Sequence, residues 1–401
     1  MSGVEMLSNA PPVSLFELSP DHRAVLDQAD RFAAKELHGL QQKMDDEEWW
    51  PDHVMPALGE MGFLGVTAPE QHGGSNSDFF TSALITQGLA RWNPAVALSY
   101  VAHENLCLNN IARNGGEALC ARYLPALCSG RSVGALALTE PGAGSDALGS
   151  MATTARRDGD RYILNGRKLY ITNGPVADVV LVYAKTDRAS GAKGISAFVV
   201  EAGSKGFQVA QKLDKMGFRG SPTAELVFDD CEVPAENLVG EENRGVAVVM
   251  SGLDLERAIV AMINVGMAER ALDLALDYAR TRQQFGKRIG DFQLVQGKLA
   301  EMYVGVETAK AFCYRTLAFA NALEQGESGR GEVHKLTAAA ILYAAETCTR
   351  VCGDAVQIFG GAGYMRQTEV NRLYRASKLL EIGAGTTEVR KVIIAEELLG
   401  R

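Results

Sequence analysis

Basic residues are in the minority. Lys and Arg number 40 against 49 Asp and Glu, a net charge of −9 spread without long acidic runs. A nucleic-acid partner needs a basic patch, so none is expected. No apolar run reaches the ~18 residues of a membrane helix, so membrane insertion is not expected. The N-terminal stretch MSGVEMLSNAPPVSLFELSP lacks both an Arg-rich amphipathic transit pattern and a signal-peptide core. A cytoplasmic location is the default expectation, or the mitochondrial matrix if a presequence has been removed. The seven cysteines (Cys107, Cys120, Cys128, Cys231, Cys313, Cys348 and Cys352) are odd in number and form no Cys-x-x-Cys pair. That speaks against a disulfide framework or a zinc site and leaves each as a small buried hydrophobe in a reduced compartment. There is no Gly-x-Gly-x-x-Gly after a strand and no Gly-x-x-x-x-Gly-Lys-Ser/Thr, so neither the Rossmann nor the P-loop route to a nucleotide is indicated. Internal repeats and low-complexity tracts are also missing.

What is present is a globular chain of 401 residues, 47% apolar, long enough for two or three domains. Residues 1 to about 18 read as a loose arm. Ser19-Pro20-Asp21 then gives a hydroxyl cap, a proline at the first helical position and an acid at the positive helix end. From there to residue 133 the apolar period is helical, as in Val25, Ala29, Phe32, Ala33 and Leu37. From 134 to 238 the period changes. RYILNGRKLYITNG, ADVVLVYAKTD, GISAFVVEAG and AELVFDDCEVP read as short strands separated by Gly, Asn and Asp. After Asn243-Arg244-Gly245 the helical period returns over 245–281, 292–325, 333–359 and 367–399, with GESGRGE at 326–332 as a loop. The expected class is therefore α+β: an N-terminal helical domain (1–133), a middle antiparallel β domain (134–238) and a C-terminal four-helix bundle domain (239–401). The two helical parts are expected to pack together around the inserted sheet.

Four stretches could carry chemistry. In 138-LTEPGAGSD-146, Thr139 and Ser145 offer hydroxyls and the glycines offer backbone N–H groups, suited to a polar heterocycle or a phosphate, or simply to a tight surface turn. In 170-YITNG-174 an aromatic precedes Ile-Thr, as a strand end or as a surface that stacks on a flat ring. In 279-ARTRQQFGKRI-289 and 357-QIFGGAGY-364, Arg282 could neutralise a phosphate that Gly360 and Gly361 approach, or the first could be a helix end followed by a turn. In 251-SGLDLERAIV-260, Glu256 falls inside an apolar helical pattern, with Gly252, Leu253, Ile259 and Val260 on or beside its face. A carboxylate there is costly unless paired or used. It is either an ion-pair partner of Arg257 or of a distant basic residue, or a partly desolvated base for a carbon acid.

Together, LTEPGAGSD, YITNG, RxxFG, QIFGG and GAGTTE occur in the order and spacing of the acyl-CoA dehydrogenase family, which the chain resembles from about residue 20 to 399. The helix–strand–helix order agrees. Within the family the chain is most similar to the branch acting on isovaleryl-CoA, through 97-ALSYVAHENLCLNNIARNG-115, 212-KLDKMGFRGSPTAELVFDDC-231, 250-MSGLDLER-257 and 381-EIGAGT-386. That branch keeps its base on the helix carrying LDLER. Most other members place a Glu in the C-terminal loop, where Ala384 stands here.

The resemblance implies an FAD enzyme that forms an α,β double bond in a short branched acyl-CoA, or in another short or medium branched or terpenoid-derived one. The flavin ring and ribityl chain would lie against Leu136, Leu138, Thr139, Gly144 and Ser145 and against Tyr170, Ile171 and Thr172. Arg282, Phe285, Gln293, Gln357, Gly360 and Gly361 would hold the ADP part across a subunit interface, with Thr386, Thr387 and Glu388 closing the site. The family is usually tetrameric. The substrate would meet Leu98, Ala102, Ser145, Leu253, Asp254, Arg257, Ala384 and Gly385. Its thioester carbonyl would accept from a ribityl hydroxyl and from the Ala384 backbone N–H. Glu256 would then take the α-proton as the β-hydrogen leaves as hydride to the flavin. Electrons would pass on to an electron-transfer flavoprotein. Three departures stand out: Tyr170 replaces a common Trp but can still stack, Ala247 stands where the isovaleryl enzymes have a substrate-facing Tyr, and 258-AIVAMINVGM-267 replaces a more Gly-rich segment right after the base. A nucleic-acid-associated relative would be expected to have a basic C-terminal surface and no base, against the net charge of −9 and Glu256.

Overall fold

The computed structural model describes residues 18–322 and 331–400. The expected N-terminal arm, apart from Leu18, and most of the expected 326–332 loop lie outside the described residues. Gly331 and Glu332 of that stretch instead open a helix.

The N-terminal helices follow their caps. Ser19 accepts from the His22 N–H at 3.1 Å and Pro20 opens α1 (Pro20–Phe32). Short helices α2 (Gln41–Glu47) and α3 (Val54–Glu60) come next. Asp78 caps α4 (Phe79–Trp92) by accepting from the Thr81 N–H at 2.7 Å, and Asn93 caps α5 (Pro94–Val101). Between α5 and α6 (Asn109–Asn114) the chain winds as a π-helix over Ala102–Leu108, before α7 (Glu117–Cys128). Such widened turns rotate the helix that follows.

The middle of the chain forms an eight-stranded sheet from β1 (Gly134–Ala137), β2 (Thr154–Asp158), β3 (Arg161–Thr172), β4 (Val179–Lys185), β5 (Ile195–Glu201), β6 (Phe207–Lys212), β7 (Thr223–Pro234) and β8 (Leu238–Val239). The order is β6-β7-β3-β2-β4-β5-β8, with β1 beside β4. As expected, β2–β3, β3–β7, β4–β5, β5–β8 and β6–β7 pair antiparallel, with two parallel exceptions. β1 runs parallel to β4, Gly134 opposite Val179, and β2 meets β4 through one parallel bridge. β1 and β4 are not joined by a hairpin. Other strands intervene, so nothing forces them antiparallel. Alternation along β4 and β5 splits the apolar residues between two faces. Leu181, Tyr183, Ala197 and Val199 pack toward α6 and α7, and Val180, Val182, Phe198 and Val200 pack toward β3 and β7.

The long helix α8 (Gly245–Thr281) is buried almost all round from Ala258 to Ala268. Its Gly266 lets α4 come close: a Cβ there would sit 2.4 Å from the Gln87 carbonyl oxygen. A hairpin of β9 (Gln283–Gln284) and β10 (Lys287–Arg288) leads to α9 (Gln293–Asn321) and α10 (Gly331–Phe359). One core joins α1, α4 and α5 to α8, α9 and α10, so the two helical parts do pack together. The single helix expected over 367–399 is two, α11 (Glu369–Ser377) and α12 (Thr387–Leu399). They are separated by a break at EIGAGT, where Ala384 (φ 56°) and Gly385 (φ 91°) turn left-handed. Among the described residues no helix is long and apolar enough to cross a membrane.

Candidate active site

Glu256 sits in the fourth turn of α8 and is 5% exposed. Gly252, one turn earlier, makes its space: a Cβ at 252 would lie 2.8 Å from Glu256 Oε1. The Asn110 amide Nδ2, on α6, donates to that same oxygen at 2.8 Å. Burial pushes the Glu256 carboxyl up to about 7. The Asn110 hydrogen bond and the Arg113 and Arg257 cations pull it down, and Asp254 adds to the rise. Burial wins because one hydrogen bond and screened cations replace only part of the lost hydration. Burial raises the phenol of Tyr183 on β4, Glu256 adds to the rise, and among the described residues its buried hydroxyl has no hydrogen-bond partner.

The ion pair considered between Glu256 and Arg257 does not form. Arg257 Nη1 reaches Asp254 Oδ1 at 3.2 Å, and His334 Nδ1 on α10 is 2.7 Å from that oxygen. On a helix Asp254 and Arg257 are neighbours at i,i+3, whereas adjacent residues diverge by about 100°. Leu253 is half-buried beside them, Leu98 is half-buried on α5, and Ala102 is buried where the π-helix begins.

The loop 138–146 is built on a buried ion pair. The Lys168 side chain is 0% exposed, and its Nζ donates to Glu140 Oε1 at 2.8 Å and to the Leu138 carbonyl at 3.0 Å. Glu140 also accepts from the Ala152 N–H at 2.6 Å and the Thr153 N–H at 3.0 Å. The Leu169 N–H donates to the Thr139 carbonyl at 2.8 Å, so this loop and the end of β3 are one unit. A register shift between Lys168 and Ile171 puts Tyr170 into the left-handed region (φ 63°) and leaves it 66% exposed. Ile171 points into the sheet core, so only its backbone faces outward. Leu136, Leu138, Thr139 and Thr172 are half-buried, Gly144 and Ser145 are exposed, and space stands open above Gly142 and Gly144. An exposed aromatic face beside unencumbered glycines and hydroxyls fits a flat, hydrogen-bonding ring system such as a flavin.

The other expected cofactor residues lie elsewhere. Arg282 ends α8, and Phe285 (φ 53°), at the tip of the β9–β10 hairpin, is 93% exposed. Gln293 opens α9. Gln357 and the open Gly360 and Gly361 end α10. No hydrogen bond, ion pair or ring contact among the described residues joins this group to Leu136–Ser145 or Tyr170–Thr172.

In the loop before α12, Thr386 caps the helix by accepting from the Val389 N–H at 3.3 Å, and the Thr387 hydroxyl donates to the Glu381 carbonyl at 3.4 Å. Glu388 is exposed. Arg390 lies wholly buried beneath, donating to the Leu380 carbonyl at 2.9 Å and the Gly383 carbonyl at 2.6 Å. Asn110, Arg113, Lys168, Glu140 and Arg390 were not among the residues the sequence singled out. Their weak signal is a polar residue set within an apolar or strand-like run.

Three family models match the chain: acyl-CoA dehydrogenase N-terminal domain over residues 19–131, middle domain over 135–231 and C-terminal domain over 243–399. The chain is 45% identical to mitochondrial isovaleryl-CoA dehydrogenase of Pongo abelii, over 94% of this chain and 88% of that protein. It is 43% identical to mitochondrial 2-methylacyl-CoA dehydrogenase of Solanum tuberosum, over 92% and 88%. The solved structure of butyryl-CoA dehydrogenase from Megasphaera elsdenii superposes with a TM-score of 0.90 at 37% identity, covering 96% of this chain and 99% of that one.

Proposed function

The chain belongs to the acyl-CoA dehydrogenase family, and on that premise we propose that it converts isovaleryl-CoA to 3-methylcrotonyl-CoA, a step of leucine breakdown. It is a flavin-dependent oxidoreductase acting on a CH–CH bond of an acyl-CoA, with FAD as cofactor. The observation that carries the finer reading is the placement of the carboxylate: Glu256 is buried on α8, and Ala384 leaves the C-terminal loop without one. This is the arrangement of the isovaleryl branch.

In this reading Glu256 takes the α-proton. A base that titrates near 7 is half ionised at neutral pH, and its conjugate acid is strong enough to release the proton again. Asn110 fixes which carboxylate oxygen is presented. The Ala384 N–H donates to the thioester carbonyl, so that charge developing there on proton loss is met by a fixed dipole. Leu98 and Ala102 set the room for the acyl branch. When bound along Leu136–Ser145 and Tyr170–Thr172, FAD supplies the acceptor for the β-hydrogen, which leaves as hydride. Arg282, Phe285, Gln293, Gln357, Gly360 and Gly361 serve the cofactor of a neighbouring copy in a homotetramer, which accounts for their distance from the first set. An electron-transfer flavoprotein takes the electrons onward.

The test is anaerobic bleaching of the purified yellow protein by a panel of acyl-CoAs: isovaleryl, 2-methylbutyryl, isobutyryl, butyryl, octanoyl and a terpenoid-derived ester. Isovaleryl-CoA should bleach fastest. Faster bleaching by a straight-chain or longer branched ester would refute the isovaleryl assignment and leave the reaction class standing.

A further inference from the structure

We infer that Arg390 is a positioning residue for the carbonyl-binding N–H: it pins the Gly383–Ala384 peptide so that the Ala384 N–H faces the thioester. The inference rests on the reading that this N–H polarises the substrate carbonyl.

Three observations meet at this peptide. Arg390 Nη2 donates to the Gly383 carbonyl oxygen at 2.6 Å, and Nη1 donates to the Leu380 carbonyl at 2.9 Å. The Gly383 carbonyl and the Ala384 N–H belong to one peptide unit. In a planar trans peptide they point in opposite directions, so fixing the oxygen inward fixes the hydrogen outward. Among the described residues no acceptor takes the Ala384 N–H, while the oxygen of the same unit is held by a cation.

Arg390 is built for this position and not for the surface. It is the largest fully buried side chain among the described residues, within a helix whose neighbouring positions are largely exposed or half-buried. Burial, helped by the nearby Arg257, pulls its guanidinium down to about 10, so it stays charged at neutral pH. A cation on the amide oxygen also polarises the unit and makes its N–H a stronger donor. Arg257 follows Glu256 directly in sequence, so the same neighbourhood holds the base and the clamp.

Isotope-edited infrared spectroscopy tests this in holoenzyme carrying Glu256→Gln, which binds the thioester without consuming it. The probe is isovaleryl-CoA labelled with carbon-13 at the thioester carbonyl. The bound carbonyl stretch should lie below that of the free ester in the Arg390 parent. Part of that lowering should be lost in Arg390→Lys and more in Arg390→Met, the share of the ribityl hydroxyl remaining in both. With Glu256 restored, kcat for flavin reduction should fall about ten- to a hundredfold in both, with KM little changed. Added guanidinium should restore part of the rate to Arg390→Ala. If no stretch is lowered even in the parent, the reading of Ala384 itself fails. If Arg390→Lys and Arg390→Met both keep the full lowering of the parent, the role of Arg390 fails and that of Ala384 stands. Should Arg390→Met not fold, Arg390→Lys decides, since a lysine keeps the charge but cannot hold both carbonyls with the same fork.

Discussion

Replacing Asn110 by Leu removes the hydrogen bond to Glu256 with little change in side-chain volume. The bond is 2.8 Å long, both partners are buried, and the acceptor is ionised in its proposed role as base. A hydrogen bond to a charged group contributes about 1.5–3 kcal/mol. Because one pKa unit corresponds to about 1.4 kcal/mol, its loss should raise the carboxyl by about 1–2 units. The starting value is about 7. At pH 7 the ionised fraction then drops from about a half to between about 1% and 10%, so kcat/KM falls about five- to fiftyfold. The loss should shrink steadily toward pH 9, where the variant's base is again ionised. Groups facing Glu256 that could blur the profile are Arg113 on α6, Asp254 and Arg257 on its own helix, and Tyr183 on β4.

The assay is the initial rate of anaerobic flavin reduction by the best acyl-CoA over pH 5.5 to 9.5. Asn110→Gln, which can still donate, should keep the acid limb near its original position. The reasoning is refuted if Asn110→Leu lowers the rate equally at every pH. That result would mean Asn110 only shapes the pocket and does not stabilise the charge. It is also refuted if the acid limb moves down, since loss of a donor cannot favour the ionised form.

Glu256→Gln should retain FAD and lose reduction by several orders of magnitude, measured by single-turnover bleaching. It should also flatten stability against pH. The folded carboxyl titrates near 7 against 4.5 unfolded, so between those values the folded state binds more protons and stability falls as pH rises. Thermal unfolding of the variant should lose the Glu256 share of that slope and keep that of Glu104, which burial also raises to about 7. Gly252→Ala should place a methyl 2.8 Å from Glu256 Oε1, forcing the carboxylate aside. A displacement of that order should lower kcat about a hundredfold with the fold intact by circular dichroism. Lys168→Met should leave Glu140 buried without its cation, costing about 3–5 kcal/mol of stability and loosening FAD, seen as free flavin fluorescence on dilution.

Local pattern carried far along this chain. The strands β3, β4, β5 and β7 were legible because β-branched and aromatic residues dominate them and turn residues bound them. By contrast β2 (TARRD) and β6 (FQVAQK) lie largely exposed and offer little apolar alternation. The ends of α8 were legible from Gly245 and the turn after Thr281. The π-helical winding at Ala102–Leu108 was not, because its sequence has an ordinary helical period. Glu256 was visible as a carboxylate in an apolar helix face. Its partner Asn110 was not, because 146 residues separate them and an Asn in a helix has no local signature for such a contact. Lys168 hides in the same way, as one of several charged residues along β3. Only the fold shows that it alone among them is sealed off.

In the proposed reaction, the position of Glu256 also accounts for the chemistry left to the C-terminal loop. A carboxylate at residue 384 would stand on an exposed residue. It would gain none of the burial that raises Glu256. The nearby guanidinium of Arg390, and Arg257 beyond it, would favour its ionised form and make it a weaker base. The same cation that spoils a base at 384 improves a donor there, because it draws on the Gly383 oxygen and strengthens the Ala384 N–H. In this chain, then, a basic carboxylate and a cation-braced peptide donor are better kept on separate elements. α8 supplies the buried environment that the first requires, and the loop over Arg390 supplies the braced peptide that the second requires.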